Sequence, residues 1–321
     1  MSLFSNKTVL VTGAAGICGR ATLRKLLKDP TTKVVGTIYE NRTVDTINEN
    51  LKIVKADLTN LKTCIELVEG VDAIIHCASF CGGAKKQLDF KVDLVMLNNI
   101  MTMNILHAAA KENVSYFGFI GSSTQYPEAD YSITEDEINL RKPHEAYKRN
   151  GGFKRYHLEL IQQLQEITDV KFGVVVPNAV YGPNDTFGED GHVLPALIVK
   201  ASQGMNPFEV WGDGNQVREF VHVDDLIDAL FFVLENDPSA SPYNACTGVE
   251  TTINELVGLV TEQYGYEPII NHDLSKPVML PKRRISVEKI NKLGWKSSIS
   301  LQEGLRKTIE WYEKTRVSNE I

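Results

Sequence analysis

The chain is 321 residues long, 43% hydrophobic, 23% charged and 8% aromatic, the balance of an ordinary globular protein and not of a disordered, fibrous or membrane-embedded one. Its net charge of −7 argues against a general affinity for nucleic acid or anionic lipid, so any phosphate it binds must be held locally. The five cysteines (Cys18, Cys64, Cys77, Cys81, Cys246) are scattered and lack the paired spacing of a zinc site or a disulfide scaffold; with no targeting leader and no apolar run near 20 residues, we expect a cytoplasmic protein without metal or membrane partner.

From Thr8 to about Val176, short β-branched runs alternate with longer amphipathic stretches, the pattern of a parallel sheet covered by helices. The expected strands are TVLVTG, KVVGTIY, LKIVKAD, VDAIIHCAS, YFGFIGSS and VKFGVVVP. Helices are expected over Arg20 to Lys28 and over Val95 to Lys111, the latter with Met96, Ile100, Met103 and His107 at three- and four-residue spacing. After Pro177 the alternation decays into Gly- and Pro-containing loops (YGPNDTFGEDGH, WGDGNQ, ENDPSASP) joined by shorter helices. The predicted architecture is therefore α/β. A Rossmann-type doubly wound parallel sheet over residues 1–176 binds a dinucleotide, and a smaller mixed α/β C-terminal lobe over residues 177–321 binds substrate, with some late segments returning to the first domain.

The first strand runs directly into VLVTGAAGICGR, where Gly13, Gly16 and Gly19 permit a tight turn while Ala15 and Ile17 lead into a helix. Unpaired N–H groups and the positive end of the helix dipole there suit a pyrophosphate. The Gly-x-x-Gly-x-x-Gly spacing points to the short-chain dehydrogenase branch of dinucleotide binders. Asp57 and Leu58, in KADLTN, close the third strand, where the carboxylate either accepts from an adenine amino group or is a solvated turn residue. At the end of the second strand, Glu40 would accept from ribose hydroxyls and favour NAD, whereas Arg42 would pair with a 2′-phosphate and favour NADP; the choice stays open.

With these glycines and Asp57, the stretches HCAS (His76 to Ser79), Asn98, GSSTQYP and VYGP resemble the extended short-chain dehydrogenases that act on nucleotide sugars. The similarity runs nearly end to end. Within that superfamily the chain is most similar to the GDP-fucose synthases, which are epimerase-reductases, through NNIMTMNILHAAAKENV, PNAVYGPNDTF, GHVLPALI, VWGDGNQVREFVHVDD, SKPVMLPKRR and LGWKSSISLQEGL. The resemblance implies a bound NAD or NADP, contacted also by Cys77, Ala78, Ser79, Asn98, Pro177 and Val180, and a nucleotide sugar, GDP-linked in these relatives. It implies that Ser122 donates to the sugar oxygen at the carbon exchanging hydride, with Ser123 beside the sugar. Lys154, which stands 29 residues before Pro183 as in the family, binds the nicotinamide ribose. Arg218 and Arg283 match positions that face the substrate diphosphate, with Lys200 assisting; Trp211 is expected to pack and not to stack on a base.

Two departures stand out. The family tyrosine belongs four residues before the lysine, and position 150 is Asn, an amide that does not titrate in the useful range. Proton delivery then falls to Tyr147, seven residues before Lys154 and about 10 Å from it along the helix axis, or to water or the substrate itself, or redox turnover is lost. Thr124 stands where these epimerase-reductases keep a cysteine base, and a threonine hydroxyl is a poor base beside a ketone, although the histidine acid is retained as His192. The reading is a reductase or epimerase-reductase moving hydride at sugar C4. A nucleotide-sugar 4-epimerase with retained cofactor and a non-catalytic cofactor-binding protein are the alternatives. A homodimer through Val95 to Lys111 and Lys154 to Glu166 is expected from the same resemblance.

Overall fold

The computed structural model describes residues 2–80, 91–188, 191–276 and 280–319; Cys81 and the middles of GEDGH and SKPVML lie outside the described residues. Seven strands form one wholly parallel sheet: β1 (Thr8–Thr12), β2 (Lys33–Ile38), β3 (Leu51–Lys55), β4 (Ala73–His76), β5 (Tyr116–Ile120), β6 (Lys171–Val176) and, from far later in the chain, β10 (Ser239–Asn244). Their order is β3-β2-β1-β4-β5-β6-β10. The central strands are continuous apolar runs because both of their faces are covered: Val9, Leu10, Val11, Ile74, Ile75, Phe117, Phe119 and Phe172 are completely buried.

Strand order reverses between β1 and β4. The chain moves outward through helix α1 (Ile17–Leu26) to β2 and β3, then returns through α2 (Leu61–Val68) to the other side of β1. Right-handed crossovers in opposite directions put α1 and α2 on opposite faces and open a crevice above the carboxyl ends of β1 and β4. Helices α3 (Lys91–Lys111) and α4 (Lys148–Ile167) pack side by side. On the other face α1 packs against α6 (Val223–Asn236), where Arg24 pairs with Asp224 at 2.7 Å and Lys25 with Asp228.

The segment ENDPSASP, expected to be loop, runs instead into the edge strand β10. Serine- and proline-rich sequence is a poor strand signal, yet an edge position leaves one side of the backbone unpaired and so tolerates Pro242; a register shift between Ser239 and Pro242, with Ala240 at φ +60°, accommodates the irregularity.

A second core lies over a three-stranded mixed sheet, β7 (Ala179–Tyr181), β9 (Val217–His222) and β11 (Glu250–Thr252), and a parallel pair, β8 (Phe208–Trp211) with β12 (Ile270–Asp273). Tyr181, Leu197, Ile198, Phe208, Leu256, Val260 and Leu305 fill it, drawn in part from α5 (Val193–Ser202), α7 (Ile253–Gln263) and α9 (Leu301–Asn319), while α8 (Glu288–Leu293) contributes Ile290 to the larger core. Among the described residues no helix is long and apolar enough to cross a membrane.

Helix α4 meets the turn after β5 backbone to backbone, because a Cβ on Gly151 would lie 2.1 Å from the Thr124 carbonyl oxygen and 2.9 Å from Pro143 Cβ, whereas one on Gly152 meets nothing within 4 Å. Despite the paired glycines the helix is unbroken over Lys148–Ile167. Adjacent substitutions therefore diverge. Gly151→Ala should destabilise the fold by about 2 kcal/mol or more through overpacking, and Gly152→Ala should stabilise it by up to about 1 kcal/mol through helix propensity. Urea unfolding midpoints of the two variants check this, and equal shifts would contradict it.

Candidate functional site

The first wall of the crevice is the turn between β1 and α1. Gly13 has φ +62°, and a Cβ there would stand 2.7 Å from Ala78 Cα; one on Gly19 would stand 2.2 Å from the Gly13 carbonyl oxygen. Only glycine permits both approaches. Gly13 N and Ala14 N donate to Thr37 Oγ1 (3.2 Å) and Thr37 O (2.8 Å), which fixes the turn to β2. Gly16 caps α1 in extended conformation with no side-chain hydrogen bond, and Ala15 and Ile17 flank it, so no side-chain oxygen of the cap residue competes for the positive end of the helix. A dinucleotide's pyrophosphate fits this cradle.

At the ribose end, Glu40 (φ +52°) and Asp57 are exposed, and the Tyr39 hydroxyl is held by Glu40, with Asp57 nearby; the two carboxylates raise the Tyr39 pKa, the Glu40 hydrogen bond most. Asp57 Oδ1 accepts from Thr59 N (2.9 Å) and Thr59 Oγ1 (2.7 Å), while Leu58 is buried beneath it. Arg20, not singled out from the sequence, bridges the glycine turn to the segment after β2: it donates to Ala15 O (3.2 Å), Thr43 O (2.6 Å) and Asp45 (3.2 Å).

A buried polar chain sets the opposite wall. Thr12 Oγ1 accepts from Cys77 N and Ala78 N, both at 3.1 Å, so its own proton goes to His76 Nδ1 at 2.8 Å. His76 is thereby the Nε2–H tautomer, donating to Thr102 Oγ1 at 3.2 Å. Asn98 clamps the next residues, accepting from Ser79 Oγ and Phe80 N and donating to Phe80 O, all at 2.9 Å. Behind them the buried His157 donates from Nε2 to Asn99 Oδ1 at 3.0 Å, the Asn99 amide being oriented by its bond to Val95 O. Burial, reinforced by the Lys154 charge, pulls both imidazoles down to about 3. Thr12, Thr102 and His157 carried no signal of their own, since each acts only through a partner distant in sequence.

The third group lies after β5. Ser122 Oγ accepts from Thr124 Oγ1 (2.9 Å) and Thr124 N (3.3 Å), and Ser122 N donates to Gln125 Oε1 (2.8 Å). With its lone pairs so used, the Ser122 hydroxyl is left to donate. Lys154 Nζ donates to Ile120 O at 2.8 Å and lies 4.8 Å from the Phe119 ring centre. Asn150 is half-buried one helical turn before Lys154. Ser123 Oγ donates to Asn178 Oδ1 (3.1 Å), Ser123 N to Pro177 O (2.9 Å), and Asn178 Nδ2 to Arg283 O (3.0 Å). One short chain of contacts thus joins the Ser122 turn to Arg283, with Val180 half-buried on β7 two residues beyond Asn178.

Arg283 comes alongside Arg218 because Val217 N donates to Pro281 O at 2.8 Å. Burial lowers the pKa of both guanidiniums, and Arg283 Nη2 is buried without a partner. Tyr147, at the cap of α4, turns toward them: its ring centre is 3.9 Å from the Arg283 guanidinium carbon. Other residues are less gathered. His192 caps α5 and is exposed. Lys200 Nζ is held by Glu209, at 2.8 Å from its carbonyl and 3.3 Å from its carboxylate. Trp211, expected to pack, is 49% exposed, with the Lys276 ammonium 5.4 Å from its ring centre. Asp185, overlooked in YGPND, buries an unpartnered Oδ2 and is pushed up to about 7 by desolvation.

The NAD dependent epimerase/dehydratase family profile matches residues 9–246, and the chain belongs to that family. It is 32% identical over 327 aligned residues to GDP-L-fucose synthase 1 of Arabidopsis thaliana, covering 98% of this chain and 96% of the relative. It is also 31% identical to the GDP-L-fucose synthase of Escherichia coli, over 76% of this chain and 81% of that one. Among solved structures, a GDP-L-fucose synthetase from Naegleria fowleri bound to NADP superposes with a TM-score of 0.84 at 24% identity, over 99% of this chain and 96% of that one. The epimerase Mth375 from Methanothermobacter thermautotrophicus superposes with a TM-score of 0.88 at 20% identity, over 99% and 95%. These two share the fold.

The Thr12 chain yields a spectroscopic expectation. In ¹⁵N-resolved spectra of His76, the Nε2–H tautomer should persist with no titration between pH 8 and pH 5. An unfolded imidazole takes up its proton near 6.5 and the folded one only near 3. Its contribution to stability is therefore complete above pH 6.5 and falls, by about 1.4 kcal/mol per pH unit, as the pH drops toward 3. Titration near 6.5 in the folded protein would contradict the assigned network.

Proposed function

We propose that this chain is an NAD(P)-dependent reductase that delivers hydride to C4 of a 4-keto nucleotide sugar, GDP-linked by analogy with its relatives. The observation that carries this reading is the contact chain from the Ser122 turn through Ser123 and Asn178 to the Arg283 backbone carbonyl, which links a hydroxyl donor to the segment bearing one of two half-buried guanidiniums without carboxylate partners among the described residues. A sugar joined to a diphosphate needs those two elements close together.

The roles are those the family resemblance implies, and the hydrogen bonds around Ser122 and Lys154 support them. Gly13, Ala15, Gly16, Ile17 and Gly19 receive the pyrophosphate; Glu40, Asp57 and Leu58 border the adenosine; Cys77, Ala78, Ser79, Asn98, Pro177 and Val180 line the path to the nicotinamide. The bound cofactor supplies the hydride. Ser122, its oxygen already accepting from Thr124, gives its proton's hydrogen bond to the ketone oxygen as negative charge develops there. Lys154 holds the nicotinamide ribose from the end of β5 and adds a positive charge near the forming alkoxide. Asn150 stands in the place of the family's tyrosine and orients a water that completes the proton transfer. His192 contacts the sugar, and Arg218 and Arg283 hold the diphosphate, with Lys200 fixing β8 through Glu209 nearby.

Thr124 takes the position of the epimerising cysteine, and its hydroxyl is committed to Ser122. That commitment, added to its weak basicity, favours reduction without epimerisation. The exposed apolar positions Val92, Met96 and Met103 of α3 and Tyr156 and Ile167 of α4 recur at helical spacing on neighbouring helices, which supports a homodimer closed across that face.

The test is nicotinamide absorbance in a mixture of protein, NADPH or NADH, and GDP-4-keto-6-deoxymannose. Oxidation is expected, and Ser122→Ala should lower turnover by about 100-fold or more while cofactor affinity stays within a factor of two. Cofactor binding with no oxidation would overturn the reading.

A further inference from the structure

Two like charges lie side by side at the Arg218–Arg283 site with nothing obvious to hold them there. Desolvation lowers the pKa of each, and the field of Arg218 lowers that of Arg283 further. Neither forms an ion pair among the described residues: the nearby Glu250 is taken by Arg284 at 3.0 Å, and Glu219 points to the other side of β9, toward Ile285 N at 3.4 Å. The polar partners that are present are Val217 O, which accepts from Arg218 Nη1 at 2.7 Å, and Tyr147, whose ring face carries Arg283 and whose hydroxyl lies close enough to both guanidiniums to favour their charged forms.

A planar guanidinium over an aromatic face is held flat by the ring quadrupole, and a phenol oxygen accepts at the edge of a second guanidinium. Tyr147 thus bears on both guanidiniums at once, and the buried Arg283 Nη2 remains an open donor. Its position explains how it does so: as the cap residue of α4 it lies off the helical array, at φ −119° and ψ 7°, so its ring leaves the face shared by Asn150 and Lys154.

We propose that Tyr147 is a positioning residue of the anion site, which preorganises Arg218 and Arg283 for the diphosphate of the substrate, and that it is not the replacement for the missing catalytic phenol. This rests on the nucleotide-sugar reading above. The consequence is a separation of effects: loss of Tyr147 weakens nucleotide binding and raises KM, while the saturated rate at C4 is retained to within about threefold.

The experiment measures equilibrium binding of GDP, inorganic pyrophosphate and NADPH to the wild-type protein and to Tyr147→Phe, Tyr147→Leu and Arg283→Ala. Tyr147→Phe, which keeps the ring, should weaken GDP about 3- to 10-fold, and Tyr147→Leu, which removes it, about 10- to 100-fold. Pyrophosphate should follow the same order and NADPH should be unaffected, which also reports that the variants are folded. Arg283→Ala should abolish pyrophosphate binding. Unchanged GDP affinity in Tyr147→Leu would overturn the proposal alone. So would a fall in kcat of about 100-fold at saturating sugar nucleotide in Tyr147→Phe with unchanged GDP affinity, since that marks a proton donor. A wild-type protein that binds NADPH but neither GDP nor pyrophosphate would overturn this proposal and the nucleotide-sugar reading together.

Discussion

The site depends on one hydroxyl. Thr12 Oγ1 closes β1, takes hydrogen bonds from the backbone of Cys77 and Ala78, and gives its own to His76. It thereby ties the ends of β1 and β4 together at the point where strand order reverses, which is where a doubly wound sheet opens a crevice. Gly13 packs against Ala78 only because that tie is tight, and the tie stays neutral because burial keeps His76 unprotonated. A charged imidazole there would repel Lys154 and turn its Nδ1 acceptor into a second donor toward Thr12.

From this edge the remaining groups are set out by distance along the sheet. Ser122 follows β5, Pro177 and Asn178 follow β6, and Arg218 and Arg283 are brought up by the β9 pairing from the second core. The backbone contact of Gly151 with Thr124 fixes how far α4 stands from the Ser122 turn. The Ser122 turn and the Arg283 backbone, where hydride chemistry and anion binding are proposed, are then joined through two side chains, Ser123 and Asn178.

Much of this was legible in the sequence for a physical reason. Parallel strands buried on both faces leave long apolar runs, so β1, β4, β5 and β6 were plain in VLVT, AIIH, YFGFI and KFGVVV, and the glycine turn was plain because no other residue fits Gly13 and Gly19. Strand β10 was hidden because an edge tolerates the serines and proline that otherwise signal a loop. The Thr12–His76–Thr102 chain was hidden because its members lie 64 and 26 residues apart and none is unusual alone. The direction of Tyr147 was likewise invisible: helical periodicity places it on the Lys154 face, and only the non-helical dihedrals of a cap residue turn it to the arginines.

The central claim is that hydride reaches a sugar carbon in a site with Asn at position 150. Single-turnover reaction with reduced nicotinamide cofactor carrying deuterium at both C4 positions of the ring, followed by mass analysis of the sugar nucleotide, tests it most directly. The account predicts one deuterium per molecule, located at sugar C4 and absent from C3 and C5. Retention of both deuterium atoms on the cofactor, with the keto sugar bound, would contradict it.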